Sequence, residues 1–145
     1  MFVEGTTGGA VGGPGGPVIY LDTSVALAQL LAEDKAPPAR LWQETLVASR
    51  LLEYELWTRI HARGLTRTHG ELARQLIGRL ALLELVPAVL ARALEPFPTP
   101  VRILDALHLA SLEFLRDNGQ KVKLASYDDR MLRCARRLHI PIYNI

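Results

Sequence analysis

The chain has 145 residues and a mass of 16.1 kDa, and 49% of its residues are hydrophobic and 22% charged, which is typical of one folded domain. A single cysteine, Cys134, excludes an internal disulfide, and no apolar run reaches the roughly 18 residues that a membrane span needs. The net charge of +2 permits nucleic-acid binding but does not require it. Without a visible secretory signal, the expected location is the cytoplasm.

The first 17 residues differ in composition from the rest of the chain. They hold 7 of the 11 glycines and 2 of the 9 prolines. Such a stretch can bury little apolar surface, so we predict a flexible leader over residues 1–17. A phosphate-binding loop is not predicted, because the glycines precede the first strand instead of following one. Residues 18–145 are expected to form the single domain.

Short apolar runs alternate with segments of helical spacing along the rest of the chain. Strands are predicted at 18–21, 45–49, 82–86, 121–126 and 140–144. Helices are predicted at 24–31, 37–44, 50–64, 66–80, from Pro87 onward, at 101–116 after a PFPTP connector, and at 128–138. This alternation favours parallel strands joined by right-handed crossovers. The predicted fold is a three-layer α/β/α sandwich with a central, mainly parallel five-stranded sheet.

Two acids follow predicted strands. Asp22 comes directly after VIYL, and Asp128 comes just past KVKLAS. Because the carboxyl ends of central parallel strands meet at one edge of the sheet, we expect the two side chains to lie near each other there. Asp129 is adjacent to Asp128 and equally eligible on spacing alone.

Two more acids lie near the starts of predicted helices. Glu55 is six residues after Ser49 and Asp105 is six residues after Thr99, and both Ser49 and Thr99 are predicted N-caps. Each acid should therefore lie in the second turn of its helix. Glu53 competes with Glu55, since the two face different sides of the helix and the apolar stripe does not choose between them.

Four acids at one edge repel one another and stay ionised together only if a cation neutralises them. Oxygen ligands without an accompanying cysteine favour Mg²⁺ or Mn²⁺ over structural zinc. Asp22 would then bind the metal directly or through water, with Thr23 and Ser24 orienting it or a phosphate. In the alternative interpretation, Asp22 caps the first helix, Asp128 or Asp129 caps the last, and Glu55 is a surface acid. Asp105 fits that alternative least well, because its helix is apolar nearly all round.

Basic residues concentrate near the end of the chain. Arg130, Arg133, Arg136 and Arg137 share one short segment of helical spacing. Such a segment is typical either of a solvated helix face or of a surface that contacts RNA. Spacing alone does not choose between these two interpretations.

Four stretches, VIYLDTSV, SRLLEYELW, ILDALHLAS and ASYDDRMLRCARRLHIP, together resemble the PIN-domain ribonucleases, specifically VapC-type toxins of toxin–antitoxin pairs. They occur in the family's order and span residues 18–145. The resemblance selects Glu55 over Glu53 and Asp128 over Asp129, and matches Asp22 and Asp105 to the other two acids. It places Ser49 before the second acid, and Ser126 where the family usually has threonine.

The resemblance implies a Mg²⁺- or Mn²⁺-dependent endoribonuclease, the toxin of a type II system, with tRNA and rRNA as candidate targets. Asp22, Asp105 and Asp128 would hold the metal, Glu55 or Asp128 would orient the attacking water, and the four arginines would contact the RNA backbone. The implied partners are an identical subunit and a cognate VapB-type antitoxin. The alternative is a catalytically inert PIN fold that binds RNA or protein, against which the presence of all four acids argues.

His108 lies one helical turn after Asp105, a spacing that suggests a catalytic base or a metal ligand. In the family's DALHLA motif, however, the histidine occupies a largely structural position. A structural role is therefore predicted for His108.

Overall fold

The computed structural model describes residues 3–4, 16–32 and 34–145, which form one mixed α/β unit. The strands are β1 Val3–Glu4, β2 Val18–Leu21, β3 Leu46–Ser49, β4 Ala81–Leu83 and β5 Val122–Ala125. The helices are α1 Thr23–Leu31, α2 Arg50–Ala62, α3 Thr66–Gly78, α4 Pro87–Ala93, α5 Ile103–Asp117 and α6 Asp129–Arg137. Residues Ala39–Gln43, inside the predicted helix 37–44, form only a 3₁₀ helix. None of the described helices has both the length and the apolar character needed to cross a membrane.

The strands form one sheet in the order β1-β4-β3-β2-β5. Strands β2 to β5 pair with one another in the parallel direction, and β1 pairs with β4 in the antiparallel direction. The register between β2 and β5 sets Leu21 beside Ala125, so both strands end at the same level. The predicted α/β/α fold with a mainly parallel sheet is confirmed.

The predicted fifth strand at 140–144 was wrong. This segment makes a single parallel bridge, Leu124 with Ile142, and forms no continuous strand. Pro141 has no backbone N–H to donate, which limits how far a ladder can extend there. The outer position at the opposite edge of the sheet is taken by β1, from the predicted leader; residues 1–2 and 5–15 of that leader lie outside the described part of the chain.

Apolar side chains cover both faces of the sheet. Along β2, Ile19 and Leu21 pack into one buried cluster, which includes residues of α1, α2 and α3. Tyr20 points to the other face and packs with Leu109 of α5 and Cys134 of α6. This alternation is the normal consequence of strand geometry, and it explains why the central strands read as continuous apolar runs. Cys134 is buried as a free cysteine.

Helix α5 starts later than the sequence predicts. Arg102 is its N-cap, in an extended conformation, instead of Thr99. The side chain of Asp105 accepts a hydrogen bond from the Arg102 backbone N–H at 3.1 Å, which gives the helix its cap. Asp105 consequently lies in the first turn of α5 and not in the second.

Candidate active site at the carboxyl edge of the sheet

Asp22 is buried at the point where β2 ends. Its side-chain Oδ2 accepts hydrogen bonds from Ser24 Oγ at 2.6 Å and from Ser126 Oγ at 2.8 Å. Its backbone N–H donates to the Ala125 carbonyl at 3.0 Å, which continues the pairing of β2 with β5. The carboxylate is thus fixed by Ser24 at the start of α1 and by Ser126 just after β5, where the two strands end.

The two serine hydroxyls also hold the loop that follows β5. Ser126 Oγ accepts from the Asp128 backbone N–H at 2.9 Å, and Ser24 Oγ accepts from the Tyr127 backbone N–H at 3.0 Å. Each hydroxyl therefore donates to Asp22 and accepts from the backbone of the loop. This arrangement fixes the position of Asp128 relative to Asp22.

Asp128 is the N-cap of α6. Its Oδ1 accepts from the backbone N–H groups of Arg130 at 2.9 Å and Met131 at 3.2 Å. Asp129 is exposed in the first turn of the same helix. The capping role and the site role, which the sequence offered as alternatives, are therefore compatible, since each carboxylate has two oxygens.

Asp105 is 7% exposed and faces the same region from the first turn of α5. Its Oδ2 lies 3.8 Å from Arg130 Nη1. Burial raises the pKa of Asp105 above its usual value, and the negative charges of Asp128 and Asp22 add to that rise; the Arg102 hydrogen bond and Arg130 act in the opposite direction. Because the charges of Asp22 and Asp128 both affect the pKa of Asp105, the three carboxylates lie in one region.

Glu55 reaches the site from α2, whose predicted N-cap, Ser49, accepts a hydrogen bond from the Leu51 backbone N–H at 3.0 Å. Glu55 Oε1 accepts from Thr23 Oγ1 at 2.6 Å and lies 2.7 Å from His108 Nε2. Glu53 instead bonds Arg50, with Oε1 3.1 Å from Arg50 Nη1. The structure therefore brings Glu55, and not Glu53, to the ends of β2 and α5.

His108 is 2% exposed and links Glu55 to the core. Its Nδ1 lies 2.7 Å from the Tyr20 hydroxyl, and the two rings meet edge to face with centroids 5.9 Å apart. Burial acts to lower the pKa of His108, but the Glu55 hydrogen bond and the charges of Asp22, Glu55 and Asp105 outweigh it, so the pKa is raised. Burial also raises the pKa of Tyr20, which keeps its hydroxyl neutral. Sequence reasoning missed this chain of contacts.

The carboxylate groups of the site have the ligand chemistry that a hard divalent cation prefers. Each of Asp22, Asp105 and Asp128 uses one oxygen in the contacts given above, and its other oxygen makes no hydrogen bond to any described residue. All of these donors are carboxylate oxygens, the ligands that Mg²⁺ and Mn²⁺ prefer. Within the described ranges, however, no three acidic, histidine or cysteine side chains lie close enough to surround one metal ion.

The four predicted RNA-contacting arginines separate into two groups. Arg130 is partly buried and pairs with Asp105. Arg133, Arg136 and Arg137 are exposed on α6. Only Arg130 of the four has an ion pair with one of the predicted site acids in the described structure.

Comparison with known proteins identifies the family. The family model described as PIN domain matches residues 19–137, and the chain belongs to this family. It is 30% identical over 128 residues to Ribonuclease VapC47 of Mycobacterium tuberculosis (strain CDC 1551 / Oshkosh), across 83% of this chain and 92% of that protein. It is also 30% identical over 128 residues to Ribonuclease VapC46 of Mycobacterium tuberculosis (strain ATCC 25618 / H37Rv), across 86% and 95% respectively. The predicted resemblance to VapC-type PIN-domain ribonucleases is confirmed.

A solved structure shares the fold. A chain described as a toxin-antitoxin complex from Klebsiella pneumoniae aligns with a TM-score of 0.54 and 12% sequence identity. The alignment covers 79% of this chain and 89% of that chain. At this level of identity the match supports the fold alone.

Proposed function

We propose that this protein is a metal-dependent endoribonuclease, acting as the toxin of a type II toxin–antitoxin system. The observation that carries the proposal is the meeting of Asp22, Glu55, Asp105 and Asp128 at one edge of a PIN fold. The names of the two relatives, both ribonucleases, support RNA as the substrate. The arginines exposed on α6 provide positive charge suited to a phosphate backbone.

In the proposed mechanism, Asp22, Asp105 and Asp128 would hold Mg²⁺ or Mn²⁺ through their remaining oxygens, once drawn closer together than the described residues place them. When bound, such an ion would supply positive charge for the phosphodiester and lower the pKa of a water molecule. Glu55 orients the water for in-line attack, using the carboxylate oxygen that Thr23 and His108 do not occupy. The expected products are a 3′-hydroxyl and a 5′-phosphate.

The test is cleavage of a panel of structured RNAs, including tRNAs and rRNA loops, by the wild-type chain and by Asp105→Asn. We expect cleavage with Mn²⁺ or Mg²⁺ that EDTA abolishes and that the variant lacks. Asp129→Asn is the matched control, because Asp129 is an exposed acid at the start of α6 and should retain full activity. Equal activity of wild type and Asp105→Asn would contradict the proposal. RNA binding without cleavage would favour an inert PIN-fold module.

The proposed protein partners are an identical subunit and a VapB-type antitoxin. An exposed apolar surface, which supports a protein interface, includes Leu94, 86% exposed, and Ile103, 77% exposed at the start of α5. Light scattering on the purified chain, alone and after co-expression with a candidate antitoxin, would test both. A monomer that forms no complex would contradict this part of the proposal.

A further inference from the structure

Glu55 is held from the interior of the protein. Its side chain is 21% exposed, whereas the side chain of His108 behind it is only 2% exposed. Both hydrogen-bonding partners, Thr23 Oγ1 at 2.6 Å and His108 Nε2 at 2.7 Å, contact the same carboxylate oxygen, Oε1. The other oxygen, Oε2, makes no hydrogen bond to any described residue. One oxygen thus fixes the carboxylate and the other remains for substrate or water.

The hydrogen-bond partners define how His108 is oriented. Nε2 faces a carboxylate, which accepts and does not donate, so Nε2 carries a proton. Nδ1 faces the Tyr20 hydroxyl at 2.7 Å, which holds the ring from the other side. Because the ring is bonded at both nitrogens and buried, it cannot rotate without breaking a buried hydrogen bond. The imidazole is therefore a rigid link between β2 and Glu55.

The same helix offers a comparison. Glu53 also hydrogen-bonds a neighbouring side chain, but its partner Arg50 is partly exposed and shared with Glu84. A surface ion pair of this type holds a carboxylate only loosely. The buried connection to Glu55 has no equivalent at Glu53, although both acids occupy α2.

We infer that His108 is a positioning residue for the reaction proposed above: it holds Glu55 in the orientation in which its free oxygen can align the attacking water. The inference rests on the proposed function, and it assigns His108 a role beyond packing. His108 does not contact the reacting atoms; it acts through Glu55.

The test is a double-mutant cycle of cleavage rates with the full chain and Mn²⁺, using Glu55→Gln, His108→Leu and both together. We expect His108→Leu to lower kcat by about tenfold to a hundredfold with KM changed by less than about twofold, as small misplacements of a catalytic group do. The double variant should be no slower than Glu55→Gln alone, because the histidine acts only through that carboxylate. Glu53→Gln is the matched control and should cleave at the wild-type rate.

His108→Gln distinguishes positioning from packing. The glutamine amide can donate a hydrogen bond near the position of Nε2, so it should restore much of the kcat that leucine loses. If His108 only fills the core, leucine should be tolerated at least as well as glutamine. Thermal unfolding of each variant verifies that the comparison is made on folded protein.

A spectroscopic readout does not depend on cleavage. In ¹H–¹⁵N spectra of histidine-labelled protein, we expect a protected Nε2–H signal that shifts in Glu55→Gln and is unaffected in Glu53→Gln. A signal unchanged by Glu55→Gln would overturn the inference, because the proton would then not be bonded to Glu55.

The outcomes separate this inference from the proposed function. Loss of cleavage in both Asp105→Asn and Glu55→Gln, with full activity in His108→Leu, would overturn the positioning role and leave the nuclease intact. Full activity in Asp105→Asn would overturn the proposed function itself. If the loss of cleavage rate in the double variant equalled the product of the losses in the two single variants, His108 would act independently of Glu55. That result would also overturn the inference.

Discussion

The two halves of the acidic site are held by different kinds of contact. The Asp22 half comprises Asp22, Ser24, Ser126 and Asp128, and the Glu55 half comprises Glu55, Thr23, His108 and Tyr20. In the Asp22 half, serine hydroxyls and backbone N–H groups fix the carboxylates at the ends of paired strands. In the Glu55 half, every polar contact to His108 joins side chains from separate elements.

This difference separates what strand pairing determines from what helix packing determines. The β2–β5 register brings Asp22 beside Ser126 whatever the helices do. Glu55 and His108 meet only if α2 and α5 both pack correctly against the sheet. We therefore expect the Asp22 half to tolerate changes in packing that would displace Glu55.

The largest expected effect is a loss of RNA cleavage when Asp22 is replaced. Asp22→Asn removes a charge while its remaining carbonyl oxygen can still accept a serine hydrogen bond, so the fold should persist. We expect kcat for RNA cleavage to fall by at least about a hundredfold, the scale on which lost electrostatic stabilisation acts. Steady-state kinetics together with thermal unfolding will check this, and a folded variant of wild-type activity would contradict the assignment of Asp22.

Tyr20→Phe, a change in the Glu55 half, should lower the free energy of unfolding. It removes one hydroxyl without changing side-chain shape and leaves His108 Nδ1 buried without that partner. A loss of about 1–3 kcal/mol in the free energy of unfolding is expected. Urea unfolding measures it. Ser24→Ala, which affects a partly exposed hydroxyl of the Asp22 half, is the comparison, and an equal or larger loss there would contradict the contrast between the halves.

Asp105→Asn should stabilise the metal-free protein. The raised pKa of Asp105 means that its ionised form costs stability at neutral pH, and asparagine removes the charge while still able to accept from Arg102. We expect a gain on the order of 1 kcal/mol, or about 3 °C in Tm, in EDTA at pH 7. A lower Tm than wild type would show that the carboxylate is stabilising.

The smallest expected effect is a pH dependence of stability. Because the folded-state pKa of His108 is raised, its ionisation contributes stability that is fully present below the unfolded value of about 6.5 and is lost as pH rises through the folded value. The stability difference between wild type and His108→Gln should therefore shrink as pH rises through the folded-state pKa of His108. Urea unfolding across this range tests the sign, and a difference that grows with pH would contradict it.

The Asp22 half could largely be predicted from the sequence. An acid that follows a buried strand, as Asp22 does, lies at the carboxyl edge of a parallel sheet by geometry alone. In the Glu55 half, the Ser49 N-cap likewise places Glu55 in the second turn of α2, but spacing left Glu53 as an alternative and only the family resemblance chose between the two. These rules depend only on residues near one another in the chain, so they can be applied to the sequence directly.

The remaining features depend on contacts between distant residues. The start of α5 moved from the predicted Thr99 cap to Arg102 because Asp105 itself satisfies the Arg102 N–H. The contact of His108 with Glu55 spans 53 residues and joins two helices, and no local pattern predicts that distance. The short strand β1 pairs with β4 across an even longer separation.

Residues 141–143, which were predicted to form part of the fifth strand, protect the outer edge of β5. Leu124 donates to the Pro141 carbonyl and accepts from the Tyr143 N–H, each at 2.8 Å, so residues 141–143 cover the outer side of β5. An uncovered strand edge invites pairing with another molecule and can start aggregation. Residues 141–143 therefore cover this edge with two backbone hydrogen bonds and one bridge, and the exposed Lys123 beside them further disfavours pairing with another molecule.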